Sequence, residues 1–281
     1  MDSIRFGLVG AGFMGRIHSI AYRNAAMSFG DDTPLAIPVV VNDSDPALAE
    51  RAVRDWGWSR SAATWQEVTS ADDVDVVDIC TPNRTHEPIA LDAIERGKHV
   101  VCEKPLALDA AGAHRLCMAA QRHDAITHVG FVYRQWPAVA MARKLIDEGA
   151  IGEIRTARAR FLLDYNAEPE IPMSWRFDRA EAGAGALGDV GSHCIDLLQH
   201  LVGPITRVEA RMATFIDSRT GADGSSHPVT VDDQTEILAD FAGGATGTIL
   251  ASWAATGHKC DLGFDLIGSE GSIGFGCERS N

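Results

Sequence analysis

Three glycines near the amino terminus have the spacing that a dinucleotide phosphate requires. Gly10, Gly12 and Gly15 form the pattern GAGFMG, directly after an apolar strand candidate and at the start of a helix-like segment. Glycines there allow a tight turn and close backbone approach, and the helix N-terminus offers N–H groups to a pyrophosphate. We expect this turn, with Phe13 and Met14 in it, to bind a dinucleotide, although a simple packing turn would show the same pattern.

An acidic residue at the end of the second strand candidate indicates which dinucleotide is bound. Asp43 follows the apolar run 39–41, and the next residue is Ser44, not an arginine that could bind a 2′-phosphate. A carboxylate at this position holds the ribose hydroxyls. We therefore expect NAD rather than NADP. Asp43 could instead cap the helix starting near Pro46, for which Asp45 is equally well placed.

Two later strand candidates also end in polar residues. Thr81, Pro82 and Asn83 follow one of them, and Glu103 and Lys104 follow the next. Open α/β sheets bind ligands at the carboxyl ends of their parallel strands. A lysine at such an edge is normally a solvated charge, but this one could equally be held towards the crevice.

A fourth constellation lies in the glycine-rich segment 183–200. Asp189 and His193 are four residues apart, so an α-helix would stack them on one face. Asp196 and His200 fall on the same side, and an amphipathic helix with a solvated face explains this pattern completely. However, a histidine with a carboxylate one turn away is also an ordinary general-base arrangement.

The elements that position these residues divide the chain near residue 131. Before it, short apolar runs alternate with helix-period segments, which predicts a parallel, doubly wound sheet with right-handed crossovers. The predicted strands are 4–9, 38–41, 75–80, 99–102 and 126–131, and the helices are 14–24, 46–56, 86–96 and 109–123.

After residue 131 the period changes to two, which predicts an α+β domain with an open, mostly antiparallel sheet. Helices are expected over 137–148 and 187–202, and strands over 153–163, 207–216, 234–241, 246–253 and 261–267. Residues 221–226 (GADGSS) are expected to form a flexible surface loop. We therefore divide the chain into domains 1–130 and 131–281.

Composition excludes several classes of protein. The 281 residues contain 39 acidic and 25 basic side chains, a net charge of −14, which disfavours binding to nucleic acid or to an anionic membrane. We find no cysteine spacing typical of a zinc site and expect neither a signal peptide nor a membrane span. Six scattered cysteines indicate reduced thiols in the cytoplasm.

Five segments together resemble one family closely, the glucose–fructose oxidoreductase, inositol dehydrogenase and rhizopine-catabolism (Gfo/Idh/MocA) oxidoreductases. The resemblance covers essentially the whole chain. The segments are GAGFMGRIH (10–18), DVVDICTPNRTH (75–86), GKHVVCEKPL (97–106), GFVYR (130–134) and GALGDVGSHCIDL (185–197).

The resemblance implies a Rossmann domain that binds NAD(P) and a second domain for substrate binding and oligomerisation. It assigns catalytic roles to Lys104, Asp189 and His193, and it adds His86 to the cofactor side. Arg134, Trp175 and Arg176 are implied on the substrate side, together with the three catalytic residues. Family members usually continue beyond the strand matching GSIGFGCERSN, so the chain is expected to be C-terminally truncated.

The resulting hypothesis is an NAD-dependent dehydrogenase that oxidises a secondary alcohol of a sugar, polyol or glycoside. His193 is the expected base, Asp189 orients it or holds a neighbouring hydroxyl, and Lys104 stabilises alkoxide charge, with exchange of roles between Lys104 and His193 left open. The expected assembly is a homo-oligomer, a dimer or tetramer formed through the C-terminal sheet. The alternatives are an NAD-dependent glycoside hydrolase using transient oxidation and a non-catalytic dinucleotide- or sugar-binding protein.

Overall fold

A computed structural model describes residues 3–30 and 32–279. The chain divides into two compact units, residues 1–130 and 131–281. Each unit has its own sheet and its own hydrophobic core. Within the described ranges, every helix is too short or too polar to cross a lipid bilayer.

The first unit is built on a six-stranded, entirely parallel sheet in the order β3-β2-β1-β4-β5-β6. The order reverses at β1, which is the doubly wound arrangement predicted from the alternation of strands and helices. The sequence predicted five of these strands and missed the short β3. The strands are β1 Ser3–Val9, β2 Leu35–Asn42, β3 Arg60–Ala62, β4 Val76–Ile79, β5 His99–Cys102 and β6 Thr127–Val129.

The helices of this unit are α1 Phe13–Phe29, α2 Pro46–Trp56, α3 Trp65–Thr69, α4 His86–Glu95 and α5 Ala110–Arg122. Most of them begin at a residue that satisfies free N–H groups. Asp45 accepts from the N–H of Ala47 at α2, and Asp109 accepts from Gly112 at α5. By contrast, α1 begins at Gly12 with no side-chain cap and no acidic residue in its first turn.

The second unit has a six-stranded mixed sheet in the order β14-β13-β7-β12-β11-β8, in which only the pair β7–β12 is parallel. This confirms the expected mostly antiparallel sheet. The strands of the unit are β7 Ile154–Leu162, β8 Ile205–Ala213, β9 Ser218–Thr220, β10 Ser226–Pro228, β11 Gln234–Phe241, β12 Thr246–Ser252, β13 Asp261–Gly268 and β14 Ser272–Gly276.

Within its described residues, 131–279, this unit has three α-helices, α6 Pro137–Asp147, α7 Arg179–Ala182 and α8 Ser192–Val202. Helix α8 packs against β7 and β12, and its apolar residues enter the core with Phe161, Ile249 and Trp253. The opposite face of the sheet carries polar and charged side chains together with exposed Leu238.

Residues 221–225 form the mostly exposed loop expected there, which is the turn of the β9–β10 hairpin, and Ser226 begins β10. The expectation for residues 187–202 was wrong in two respects. The predicted α-helix over 187–202 is a π-helix over Leu187–Gly191 followed by α8. In addition, His193 and Asp196, predicted on a solvated face, are only 6% and 7% exposed. The amphipathic-helix interpretation therefore fails for this segment.

Candidate functional site

The glycine-rich turn of the first unit requires glycine at two positions for different reasons. Gly10 has φ +99°, and a Cβ there would lie 2.6 Å from the carbonyl oxygen of Cys80. A Cβ on Gly15 would collide with the carbonyl oxygen of Gly10, so this residue brings α1 close to β1. Gly12 is different, because a Cβ there would meet no atom within 4 Å. The space above Gly12 is therefore open to a ligand.

The start of α1 has the chemistry of an anion site. Gly12 is its N-cap without a side-chain hydrogen bond, and the first turn, with exposed Phe13 and partly buried Met14, contains no acidic residue. Free N–H groups and the positive end of the helix dipole attract phosphate. Both features fit the pyrophosphate of a dinucleotide.

Asp43 lies immediately after β2 and faces this turn. Its carboxylate accepts hydrogen bonds from the N–H groups of Ala11 (2.7 Å) and Asp45 (2.9 Å). The alternative that Asp43 caps α2 is not what the structure shows, since Asp45 performs that function. The structure therefore ties Asp43 to the glycine-rich turn, where its remaining lone pairs suit ribose hydroxyls.

The loops after β4 and β5 are joined by a buried histidine. The ring of His86 is fully buried, with Nδ1 2.8 Å from the carbonyl oxygen of Pro105 and Nε2 2.9 Å from that of Thr81. Burial lowers the pKa of His86. Asn83 is buried in the same loop, whereas Thr81 and Pro82 are partly exposed. His86 thus connects the loop after β4 to the loop after β5 through its two ring nitrogens.

Glu103 and Lys104 follow β5 at the same sheet edge. The Glu103 side chain is buried, and its Oε2 accepts from the backbone N–H of Lys104 at 3.3 Å. Its Oε1 lies 3.2 Å from Nε2 of His18, a residue of α1 that was not predicted as functional. Lys104 itself is partly exposed. The Glu103 carboxylate therefore holds the backbone N–H of Lys104.

In the second unit, a buried aspartate fixes the start of the π-helix. The Asp232 carboxylate accepts from the N–H groups of Gly185 (2.9 Å) and Leu187 (2.8 Å) and from the hydroxyl of Thr235 (2.8 Å). A Cβ on Gly185 would collide with the backbone of Asp232, which explains one of the glycines in this segment. The π-helix then carries Asp189.

The imidazole of His193 is surrounded by aromatic rings. Its centroid lies 4.7 Å from that of Tyr133, 5.8 Å from that of Phe131 and 6.1 Å from that of Phe161, with the first two rings nearly perpendicular to it. These contacts hold the orientation of the ring. Burial raises the pKa of Tyr133, so its phenol stays neutral.

Asp189 accepts a hydrogen bond from the phenol of Tyr165, a residue that sequence reasoning missed. Tyr165 is 42% exposed at the ring edge of Trp253. Loss of hydration and the neighbouring Asp189 charge raise the pKa of Tyr165, so the phenol keeps the proton that it donates. No local pattern marks Tyr165, since it lies 24 residues before Asp189.

Each of the three residues Arg134, Trp175 and Arg176, expected on the substrate side, contacts another side chain. Arg134 binds Asp196 of α8 through two hydrogen bonds of 2.6 and 2.5 Å, which ties the segment before α6 to α8. The guanidinium of exposed Arg176 lies 4.5 Å from the ring centroid of Trp175. The positive charge of Arg176 partly offsets the rise in the pKa of Tyr165. Tyr165 and Asp189 are thus joined by a hydrogen bond, and Arg176 and Trp175 form a second pair whose charge influences Tyr165.

Comparison with known proteins matches both units. Residues 4–131 match the family described as "Oxidoreductase family, NAD-binding Rossmann fold", and residues 139–274 match the "GFO/IDH/MocA C-terminal domain". The chain belongs to the Gfo/Idh/MocA family of oxidoreductases. This confirms the resemblance seen in the sequence and the assignment as an NAD-dependent enzyme.

Two relatives show which Gfo/Idh/MocA enzymes the chain is similar to. Levoglucosan dehydrogenase of Pseudarthrobacter phenanthrenivorans is 40% identical over 292 residues, 99% of this chain and 75% of that protein. Inositol 2-dehydrogenase of Rhizobium meliloti is 32% identical over 273 residues, 96% of this chain and 75% of that protein.

Comparison with solved structures also finds a levoglucosan dehydrogenase. A levoglucosan dehydrogenase in complex with NADH and levoglucosan superposes with a TM-score of 0.96 and 41% identity, covering 99% of this chain and 74% of that one. The open space at Gly12, the uncapped start of α1 and the position of Asp43 all fit NAD.

Proposed function

We propose that this Gfo/Idh/MocA enzyme oxidises a secondary alcohol of a pyranose or a related cyclic polyol with NAD. The observation that carries this proposal is the buried, ring-enclosed His193, with Asp189 and Tyr165 in the same unit. It stands in a chain whose first unit has an NAD-type turn. Such an imidazole offers a proton acceptor, and the neighbouring carboxylate and phenol offer hydrogen-bond partners for adjacent hydroxyls.

Cofactor binding is assigned to the first unit. Bound NAD supplies the hydride acceptor for the reaction. The N–H groups at Gly12, Phe13 and Met14 hold the pyrophosphate, and the carboxylate of Asp43 holds the adenosine ribose. The same carboxylate repels a 2′-phosphate, which favours NAD over NADP.

The proton of the reacting hydroxyl is assigned to His193. Imidazole is the side chain that most often serves as a general base, and this role is assigned to the His193 ring. Asp189, already held by Tyr165, accepts a hydrogen bond from a neighbouring hydroxyl. The ammonium group of Lys104 stabilises negative charge on the carbinol oxygen as the proton leaves.

Trp175, Tyr165 and Arg176 favour a ring-shaped substrate with several hydroxyl groups. Two aromatic side chains offer flat surfaces to the C–H face of a ring, while the carboxylate and guanidinium bind hydroxyls. The relatives act on levoglucosan and inositol, as their names state, and both are rigid rings with several secondary alcohols. We assign this chain a neutral substrate of the same kind.

A substrate panel followed at 340 nm tests the function. Levoglucosan, myo-inositol, glucose and a linear polyol are each supplied with NAD and, in parallel, with NADP. The expected result is NADH formation with one of the cyclic compounds and at least tenfold lower kcat/KM with NADP. NADH binding without turnover of any alcohol would contradict the catalytic proposal, and a preference for NADP would contradict the role of Asp43.

We also propose that copies of the chain associate as a dimer or tetramer through the open face of the second sheet, in the cytoplasm. On that face, a cavity of about 640 Å³ is lined by alternating charges, including Arg158, Glu209, Arg211 and Glu236, around exposed Leu238. Such a surface can pair with its own copy across a two-fold axis. Light scattering of wild-type and Leu238→Glu protein tests this, and a wild-type monomer at micromolar concentration would contradict it.

A further inference from the structure

A chain of polar side chains links helix α1 to β4 and to the loop after β5, and two of its members, His18 and Asp78, have no role assigned above. Helix α1 carries His18 and Tyr22 one turn apart, and both side chains reach Asp78 on β4, whose side chain is fully buried. Tyr22 donates to Asp78 Oδ2 at 2.6 Å, and Nδ1 of His18 lies 2.9 Å from the same oxygen.

The other ring nitrogen of His18 continues the chain to the next strand. Nε2 lies 3.2 Å from Oε1 of Glu103, and Oε2 of Glu103 accepts from the backbone N–H of Lys104 at 3.3 Å. Gly130 leaves room for this carboxylate, since a Cβ on it would lie 2.8 Å from Oε1. The position of the Glu103 carboxylate is therefore set on several sides.

The hydrogen-bond pattern of this chain points to a cation at His18, because both ring nitrogens lie against carboxylate oxygens. Ionised carboxylates only accept hydrogen bonds, and a neutral imidazole donates from one nitrogen only, whereas an imidazolium donates from both. Burial lowers the pKa of His18, but hydrogen bonds to Asp78, to Cys80 (3.5 Å from Nδ1) and to Glu103 outweigh it, so the pKa is well above the usual 6.5. The groups that face the ring are these three, with Tyr22 beyond Asp78.

We propose that His18 is a positioning residue, an imidazolium that bridges Asp78 and Glu103 and thereby fixes the backbone at Lys104. This inference rests on the proposed role of Lys104 in stabilising charge on the carbinol oxygen. A misplaced ammonium group would weaken that stabilisation without removing the pyrophosphate site, because the turn at Gly12 is formed by other contacts.

The first test uses readouts that need no substrate. In protein labelled with ¹³C and ¹⁵N in histidine, one signal is expected to show an imidazolium protonated on both nitrogens at pH 8, and it disappears in His18→Gln. The Lys104 amide is expected to exchange with solvent about tenfold faster in His18→Gln, since its acceptor loses support. A neutral His18 ring or an unchanged Lys104 amide would overturn the proposal, whether or not the enzyme has the proposed activity.

The second test is a double-mutant cycle on turnover. We expect His18→Gln to lower kcat about tenfold or more while the Kd for NADH changes less than threefold. If His18 acts through Glu103, the double variant His18→Gln/Glu103→Gln loses no more than the larger single loss, because the two effects are not independent. Additive losses, or a kcat that falls in proportion to NADH binding and melting temperature, would overturn the positioning role.

Two variants serve as controls for this cycle. His114→Gln removes an exposed histidine on α5 and is expected to keep wild-type kcat and Kd. Tyr22→Phe removes one donor to Asp78 while leaving the link between His18 and Glu103, so it is expected to keep most of the kcat. A loss in Tyr22→Phe equal to that in His18→Gln would place the effect at Asp78 and contradict the proposed path.

Discussion

Closely spaced glycines occur both in the turn at residues 10–15 and in the segment 185–193, which includes the π-helix. The two regions nevertheless form their proposed sites by different means. At the turn, the ligand-facing groups are backbone N–H groups, which any sequence offers once the glycines allow the geometry. In the segment 185–193, the proposed ligand-facing groups are the side chains of Asp189 in the π-helix and His193 in α8, and segments distant along the chain hold them.

The first region is therefore formed by residues adjacent in sequence, whereas the second depends on tertiary contacts between distant segments. Removing a supporting residue from the turn changes backbone geometry directly, whereas around His193 each support comes from another element, such as Tyr133, Phe161 or Tyr165. Mutations in the turn should therefore act on cofactor affinity, and mutations around α8 should act on turnover. The predictions below test this separation.

The largest effect is expected for His193→Ala. Loss of the general base should lower kcat by about 10²- to 10⁴-fold, while the Kd for NADH stays within a factor of about three, because the base touches the reacting hydroxyl and not the pyrophosphate. Steady-state kinetics and NADH fluorescence measure the two quantities. His200→Ala, on the same helix but only partly buried, is the control. An unchanged kcat in His193→Ala would remove this residue from the mechanism.

The next effect concerns the turn and uses two glycines of one motif. Gly12→Ala should leave the melting temperature unchanged, since a Cβ there meets nothing within 4 Å, but weaken NADH binding about 10- to 100-fold by occupying the ligand space. Gly15→Ala should lower the melting temperature as well, because its Cβ collides with the carbonyl of Gly10. Calorimetry and fluorescence titration separate these outcomes.

The converse result would contradict the assignment of cofactor affinity to the turn and turnover to the region around α8. If Gly12→Ala bound NADH normally but turned over slowly, the open space above Gly12 would not be the pyrophosphate site. The turn would then act on chemistry, as the π-helix segment is expected to do.

The sequence was sufficient where local pattern determines structure. Alternation of strands and helices predicted the parallel sheet, and the spacing of Gly10, Gly12 and Gly15 predicted a turn whose three positions have the distinct environments that the motif requires. The N-cap of α2 was left open between Asp43 and Asp45, because sequence spacing does not show which carboxylate turns towards Ala47.

The sequence was not sufficient where distant segments meet. A regular 100° rotation per residue predicted a solvated face, but the N–H of Ser192 bonds to the carbonyl of Leu187, five residues earlier, and this π-turn breaks that rotation. The burial of His193 depends on Tyr133 and Phe161, which no helical period connects to it. The same is true of the contact between Tyr165 and Asp189.

A smaller effect is expected for Tyr165→Phe. Removing one hydrogen bond to a carboxylate costs about 1.5–3 kcal/mol, so kcat/KM should fall about 10- to 100-fold while NADH affinity is unchanged. The ring contact with Trp253 remains, so the melting temperature should change little. A matched substitution, Tyr133→Phe, keeps the ring beside His193 and should cost less. Equal losses in both variants would mean that the bond to Asp189 has no special role.

The smallest expected effect is a pH dependence of stability, and it concerns His18 in the first unit. The pKa of His18 is raised in the folded protein, so its contribution is fully present below about pH 6.5, where the unfolded chain is also protonated. Above that pH, folding takes up a proton and the contribution declines. The unfolding free energy of wild type minus that of His18→Gln should therefore fall by about 1.4 kcal/mol per pH unit between about pH 7.5 and 9. Denaturant titrations at several pH values measure this slope, with His114→Gln as control. A flat difference would mean that His18 is neutral in the folded protein, so that no imidazolium bridges Asp78 and Glu103.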